Sequence, residues 1–208
     1  MKLLEQFGNI PVNSAVLTTV LSEYRSPGDK IAALEKSGNL LRLKRGLFVV
    51  SPHVSGQTIS LELAANHLLG PSYVSLESAL SFYGLIPERV YAVRSVTTKR
   101  AKKYFTPLGV FDYVTIPESY FPIGISQKIV DNQYAFLIAK PAKAVCDMLV
   151  ATPNLRLQSA KAMQDYLTED LRIDFDVAKS FDKTIVNQCI KVGKNKTELK
   201  QLLKFLEK

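Results

Sequence analysis

The residues best suited to chemistry in this chain are its cations, and they are unevenly spread. Arg25 to Gly56 holds six of them (Arg25, Lys30, Lys36, Arg42, Lys44 and Arg45) against the two acids Asp29 and Glu35, a local balance of +4. A second knot, Arg94 to Tyr104, holds Arg94, Lys99, Arg100, Lys102 and Lys103 with no acid. Over 208 residues, 27 Lys and Arg oppose 19 Asp and Glu, for a net charge of +8. Two separated basic stretches suit a polyanionic partner, because each phosphate that a cation neutralises releases condensed counterions. The plainer use of such charges is to solvate a helix face or a loop.

Catalytic patterns are weak by comparison. His53 and His67 are the only histidines, and neither has a carboxylate or nucleophile at a telling spacing. Asp174 and Asp176 form a D-x-D pair of the kind that holds magnesium in nucleotidyl transfer, but no Gly-Ser turn precedes it, so capping of a helix by one of them is the better expectation. No phosphate-binding glycine loop occurs. Cys146 and Cys189 are the only cysteines and belong to no C-x-x-C pair, which argues against a zinc site or a disulfide framework and for a reducing compartment. The expectation is a non-enzyme with no metal or cofactor.

The elements that position the first basic stretch are written in its flanking residues. Ser26 is a helix-capping type, Pro27 fits a first helical turn, and Gly38 supplies a left-handed stop. Between them Ile31 and Leu34 share one face, with Ala32 and Leu40 nearby to complete an apolar contact, while Asp29, Lys30, Ala33 and Lys36 take the other face. Beyond Gly38 the period becomes alternating: Leu41 and Leu43 flank Arg42, and Leu47 to Val50 is rich in β-formers. Gly46 can take the positive φ of a tight turn, which places Arg42, Lys44 and Arg45 at or near the tip of a projecting hairpin. Upstream, Leu3, Leu4 and Phe7 suggest a short helix, and Asn13 or Ser14 caps a second helix with Val16, Leu17, Val20 and Leu21 as its stripe. Three helices and a basic hairpin form a winged helix-turn-helix, in which one helix enters the major groove and the wing lies on adjacent backbone.

A polar break, SPHVSGQT at 51–58, sets the expected boundary between a domain of residues 1–55 and one of residues 56–208. The second part reads as α+β. A helix spans Ile59 to Leu69, Tyr73 and Val74 are extended, and Ser75 caps a helix that runs to Gly84. Strands follow at Val90 to Thr97, Tyr104 to Phe105, Val110 to Ile116, Ile125 to Val130 and Tyr134 to Ala139, the last two joined by a turn at Asp131 and Asn132. They predict a small, mostly antiparallel sheet beside helices. Pro141 opens a helix through Leu149, and three helical periods complete the chain: Leu155 to Leu167, Phe175 to Ile190 and an amphipathic Thr197 to Lys208. No apolar run approaches the roughly 20 residues that span a bilayer, and the N-terminal residues lack a basic start followed by an apolar core, so a cytoplasmic protein is expected.

LRLKRGLFV at 41–49 and YVSLESALSFYGLIP at 73–87 together resemble the AbiEi family of antitoxins from bacterial type IV toxin–antitoxin systems. In that family a winged helix ends in an arginine-glycine wing, and the next domain opens with a serine-rich helix and a GLIP turn. AKPAKAVCDM at 139–148 is similar to a further family helix, with Ala144 and Cys146 as loose matches. The resemblance covers about three quarters of the chain and implies a DNA-binding repressor of its own operon that counteracts a nucleotidyltransferase-like toxin, without need of a stable complex. It places Lys44, Arg45 and Gly46 in the wing, Arg25, Ser26 and Lys30 at the start of the recognition helix, and Lys99, Arg100, Lys102 and Lys103 as a further DNA contact. The alternatives are an orphan winged-helix regulator and a protein interaction module. No coiled-coil pattern fixes the oligomeric state, so a monomer that pairs only on DNA is as compatible as a dimer.

Overall fold

The computed structural model describes residues 2–88 and 90–207; Met1, Arg89 and Lys208, the last position of the predicted C-terminal helix, lie outside the described residues. The first module runs α1 (Lys2–Glu5), β1 (Val12–Asn13), α2 (Ser14–Val20), α3 (Pro27–Lys36), β2 (Leu40–Lys44) and β3 (Leu47–Val50), with strand order β1-β3-β2, both pairings antiparallel. That is the element order of a winged helix-turn-helix. Asn13, rather than Ser14, caps α2, its side chain accepting from the Val16 N–H at 2.9 Å. Leu17, Leu21, Ile31, Leu34, Leu40, Phe48 and Val50 form the core, whereas Val16 and Ala32 face solvent.

A short helix, α4 (Pro52–Ser55), closes on the left-handed Gly56 and leads to the larger part. There follow α5 (Leu61–Leu68), β4 (Ser72–Val74), α6 (Leu76–Phe82), β5 (Ala92–Thr97), β6 (Lys102–Thr106), β7 (Gly109–Thr115), β8 (Ile125–Val130), β9 (Tyr134–Ala139) and α7 (Pro141–Ala151). The six strands form one sheet in the order β6-β7-β5-β4-β9-β8. Three of its pairings are antiparallel; β4 with β9 and β5 with β7 are parallel, making the sheet mixed. Asp131 and Asn132 both adopt positive φ (+49° and +55°) in the three-residue loop between β8 and β9, a primed turn closed by the Gln133 N–H on the Val130 carbonyl.

The C-terminal part contains α8 (Ala160–Asp165), which continues as a π-helical turn over Tyr166–Asp170, then α9 (Phe175–Lys179), α10 (Lys183–Val192) and α11 (Lys196–Glu207). Leu155 and Leu157 precede α8 rather than lying on it, because the chain turns helical only at Ser159, whose hydroxyl accepts from the Ala162 N–H. The predicted helix from Phe175 to Ile190 is broken: α9 ends at Lys179 and Asp182 caps a new helix through the Thr184 N–H. The amphipathic α11 buries Leu199, Leu202, Phe205 and Leu206 against its own protein, chiefly α8 and α10.

Candidate nucleic-acid interface

Packing of α3 decides which of its residues can meet a partner. Pro27 starts the helix as expected, but the Ser26 hydroxyl makes no capping bond, so Ser26 is an exposed turn residue and not a side-chain cap. With Ile31 and Leu34 buried, the outward surface of α3 carries Gly28, Asp29, Ala32, Ala33 and Lys36. Gly28, Ala32 and Ala33 among them are small enough to let a helix backbone come close to base edges, and alanine can touch a thymine methyl. Lys30 is half-buried, its ammonium 4.6 Å from the centre of the Tyr24 ring, and Arg25 stands exposed on the same turn.

The hairpin differs from expectation. It does not project. All four β3 residues are buried, because the hairpin is covered on both faces: Leu40, Phe48 and Val50 point into the winged-helix core, while Leu43, Leu47 and Val49 join the core of the larger part. Its two ends of charge are therefore distinct. Arg42 lies in mid-strand, not at the tip, where its guanidinium forms a two-pronged ion pair with Glu35 of α3 and sits 5.2 Å from the Phe48 ring centre. The hydrogen bond from Arg42 holds the Glu35 carboxyl below its ordinary pKa. Lys44 reaches across to donate to the Leu68 carbonyl at the end of α5. Burial, and then the nearby charges of Lys102 and Lys99, push its pKa down. Arg45 alone of the three occupies the tip, exposed and without an ion-pair partner among the described residues; Gly46 beside it has φ +76° and its carbonyl accepts from the Ser14 N–H.

The second basic stretch is brought to the first. β6 packs beside β2, so Lys44 shares a neighbourhood with Lys99 and Lys102 although more than fifty residues separate them in sequence. Lys99, Arg100, Lys102 and Lys103 are all exposed, with the Lys102 ammonium 4.7 Å from the Tyr104 ring centre. Arg94 leaves this group: it pairs with Glu77 at 2.7 Å and lies 3.7 Å from Asp112, acids that sequence proximity hid. The end of the hairpin, with Lys44 and the exposed Arg45, thus adjoins the exposed cations of 99–103, while α3 packs on the other face of β2.

Residues considered for catalysis find other work. His53 Nε2 donates to Asn39 Oδ1 at 2.9 Å while Nδ1 accepts from the Ser51 hydroxyl at 2.8 Å, stitching the end of β3 to the turn after α3 with no carboxylate in the chain of bonds. Asp174 caps α9 through the Asp176 and Val177 N–H groups, as expected. No cluster of three or more His, Cys, Asp or Glu that could hold a metal ion occurs among the described residues.

One polar constellation escaped the sequence reading. On α7, Lys143 and Asp147 are wholly buried and paired at 2.7 Å. The second Asp147 oxygen accepts from the Tyr73 hydroxyl at 3.0 Å and from the Ser75 hydroxyl at 2.6 Å; turned toward that carboxylate, the Ser75 side chain makes no capping bond to α6. The Lys143 ammonium also donates to the Tyr120 carbonyl and lies 3.4 Å from that ring's centre. Opposite charges at i and i+4 inside an otherwise apolar helix were the available signal.

No protein-family model matches the chain, and no curated protein matches it either. Among the described residues no helix is long and apolar enough to cross a membrane.

Proposed function

We propose that this protein is a cytoplasmic, double-stranded-DNA-binding transcriptional repressor with antitoxin activity, acting on its own operon and against a nucleotidyltransferase-like toxin. The observation that carries the DNA-binding half is the meeting of the hairpin end, with its unpaired Arg45, and the exposed cations of 99–103 where β2 packs beside β6, in a module whose α3 leaves a face open to solvent. In this reading α3 reads base edges in the major groove, and Arg25, Lys30 and Lys36 flank it on phosphate. Arg45 and Lys99 to Lys103 hold the neighbouring backbone. Lys44 contributes field rather than a direct bond, since its ammonium is committed to Leu68. Arg42 is held by Glu35 and contributes least. The antitoxin half rests on the sequence resemblance to AbiEi antitoxins.

Fluorescence anisotropy with duplex DNA from upstream of the gene tests the first half. Affinity should fall steeply with added salt, and Arg45→Ala should lower the slope of log K against log salt by about one phosphate contact. Lys30→Ala should weaken binding further. Absence of binding at low salt would overturn the repressor reading. The second half is tested by co-expressing the chain with the product of the adjacent reading frame, which should be a nucleotidyltransferase-like protein whose toxicity the chain relieves.

A further inference from the structure

The two edges of the six-stranded sheet are unlike. β6, at one edge, displays Lys102 and Lys103, the kind of charge that keeps an exposed strand from pairing with another chain. β8, at the other, is ISQKIV over Ile125–Val130, a regular six-residue strand with no proline and no bulge in its ladder with β9. None of Ile125 to Ile129 makes a backbone hydrogen bond beyond that ladder among the described residues. The outer N–H and C=O groups of β8 are a template for an extended strand. Its single charge is drawn off the edge, the Lys128 ammonium lying 5.1 Å from the Tyr83 ring centre under α6. On the opposite face Ile129 is 66% exposed, beside Leu137 at 40%.

We propose that β8 is a homodimer interface, pairing antiparallel with β8 of a second copy to make one continuous twelve-stranded sheet. The side chains choose both the occupant and the register. A twofold axis normal to the sheet sets opposite each other only residues that share a face, and the registers that pair most of the strand centre on Gln127 or Lys128. Centring on Lys128 sets the two lysines directly opposite, a like-charge pairing that would have to be held off by their Tyr83 contacts. Centring on Gln127 puts Ile125 opposite Ile129 at both ends, Ser126 opposite Lys128, and Gln127 opposite its own copy, where the two amides can hydrogen-bond. The strand is self-complementary in that register, which covers Ile129 and keeps the only charges apart. It also leaves the basic surface at the β6 edge of each copy free.

Sedimentation of the full chain across micromolar concentrations should show a dimer, and Ile129→Lys should convert it to a monomer with unchanged circular dichroism. Gln127→Cys, treated with diamide, should cross-link as a covalent dimer, because directly opposed residues fall within disulfide reach and the native cysteines are buried. Wild-type protein that stays monomeric throughout, or a dimer that survives Ile129→Lys, would overturn the proposal. A dimer that Ile129→Lys abolishes but Gln127→Cys cannot cross-link would overturn the register. None of these readouts depends on DNA binding.

Discussion

Lys143 and Asp147 show how much a single residue's surroundings decide. Both are stripped of water, so the pair is tolerable only because every charge is answered: the carboxylate takes three donors and the ammonium faces a carboxylate, a carbonyl and an aromatic ring. Gly124 is part of the arrangement, since a Cβ there would come within 2.8 Å of the Lys143 Cβ. Removing one partner strands the other, and Lys143→Met should cost about 3 to 5 kcal/mol of stability in urea unfolding while leaving the DNA affinity of the folded protein unchanged. A loss of DNA binding at unchanged stability would refute a purely structural role. Glu35 and Arg42 are the opposite case, because their exposed ion pair is worth at most about 1 kcal/mol. The Glu35 carboxyl is held below its ordinary pKa, so the contribution is present above the unfolded carboxylate range and fades as pH falls through the folded value. Glu35→Gln should therefore barely move the melting temperature. By freeing Arg42 and deleting an acid from the DNA-facing module, it should tighten DNA binding and steepen the salt slope by about 0.9.

At the scale of elements, the hairpin of β2 and β3 carries the structural lesson. A one-sided wing would alternate, but LFVV is buried at every position because α5 and β6 back the face that the winged-helix core leaves open. Leu43→Ala should then cost about 2 to 5 kcal/mol, a core penalty rather than a wing penalty, in thermal or urea unfolding. The unbroken apolar run was visible in the sequence, yet the partner that covers it lies far along the chain and was not. The same division runs through the fold. β8, β9 and their Asp131-Asn132 turn, the Gly38 stop and the Gly46 turn are local, so they were legible to the residue, and the Asp174 cap to one of two aspartates. Parallel pairing of β4 with β9 and β5 with β7 depends on distant segments and left no mark on either strand alone. Hydroxyls misled for a related reason: Ser75 looks like a cap, but its side chain is turned away from the helix to donate to a buried carboxylate seventy-two residues along the chain. Of the candidate interface, the α3 boundaries and Arg45 were readable. The withdrawal of Arg42, Lys44 and Arg94 into contacts with Glu35, Leu68 and Glu77 required the third dimension.

The molecule as a whole carries its +8 charge in a way that works against its own fold. Lys44, Lys99 and Lys102 converge where β2 meets β6, and no acid pairs with any of them among the described residues. Because burial and these neighbours depress the Lys44 pKa, the folded state binds that proton less readily than the unfolded chain does. Stability therefore rises with pH from the depressed folded value up to the ordinary lysine value near 10.4, and the full cost of the charge is present below the folded value. Such a cost is relieved by whatever supplies negative charge at this surface, whether salt or a polyanion. Two opposite responses to sodium chloride follow for one protein: the melting temperature of the free chain should rise with added salt as the repulsion is screened, while DNA affinity falls. Lys102→Gln separates them cleanly. It should raise the melting temperature in low salt, flatten its dependence on salt, and weaken DNA binding with a slope smaller by about 0.9. Differential scanning calorimetry and anisotropy on the same preparations measure both. A variant that melts no higher than wild type in low salt would show that the cluster does not strain the fold, and a variant that binds DNA as well as wild type would remove β6 from the interface.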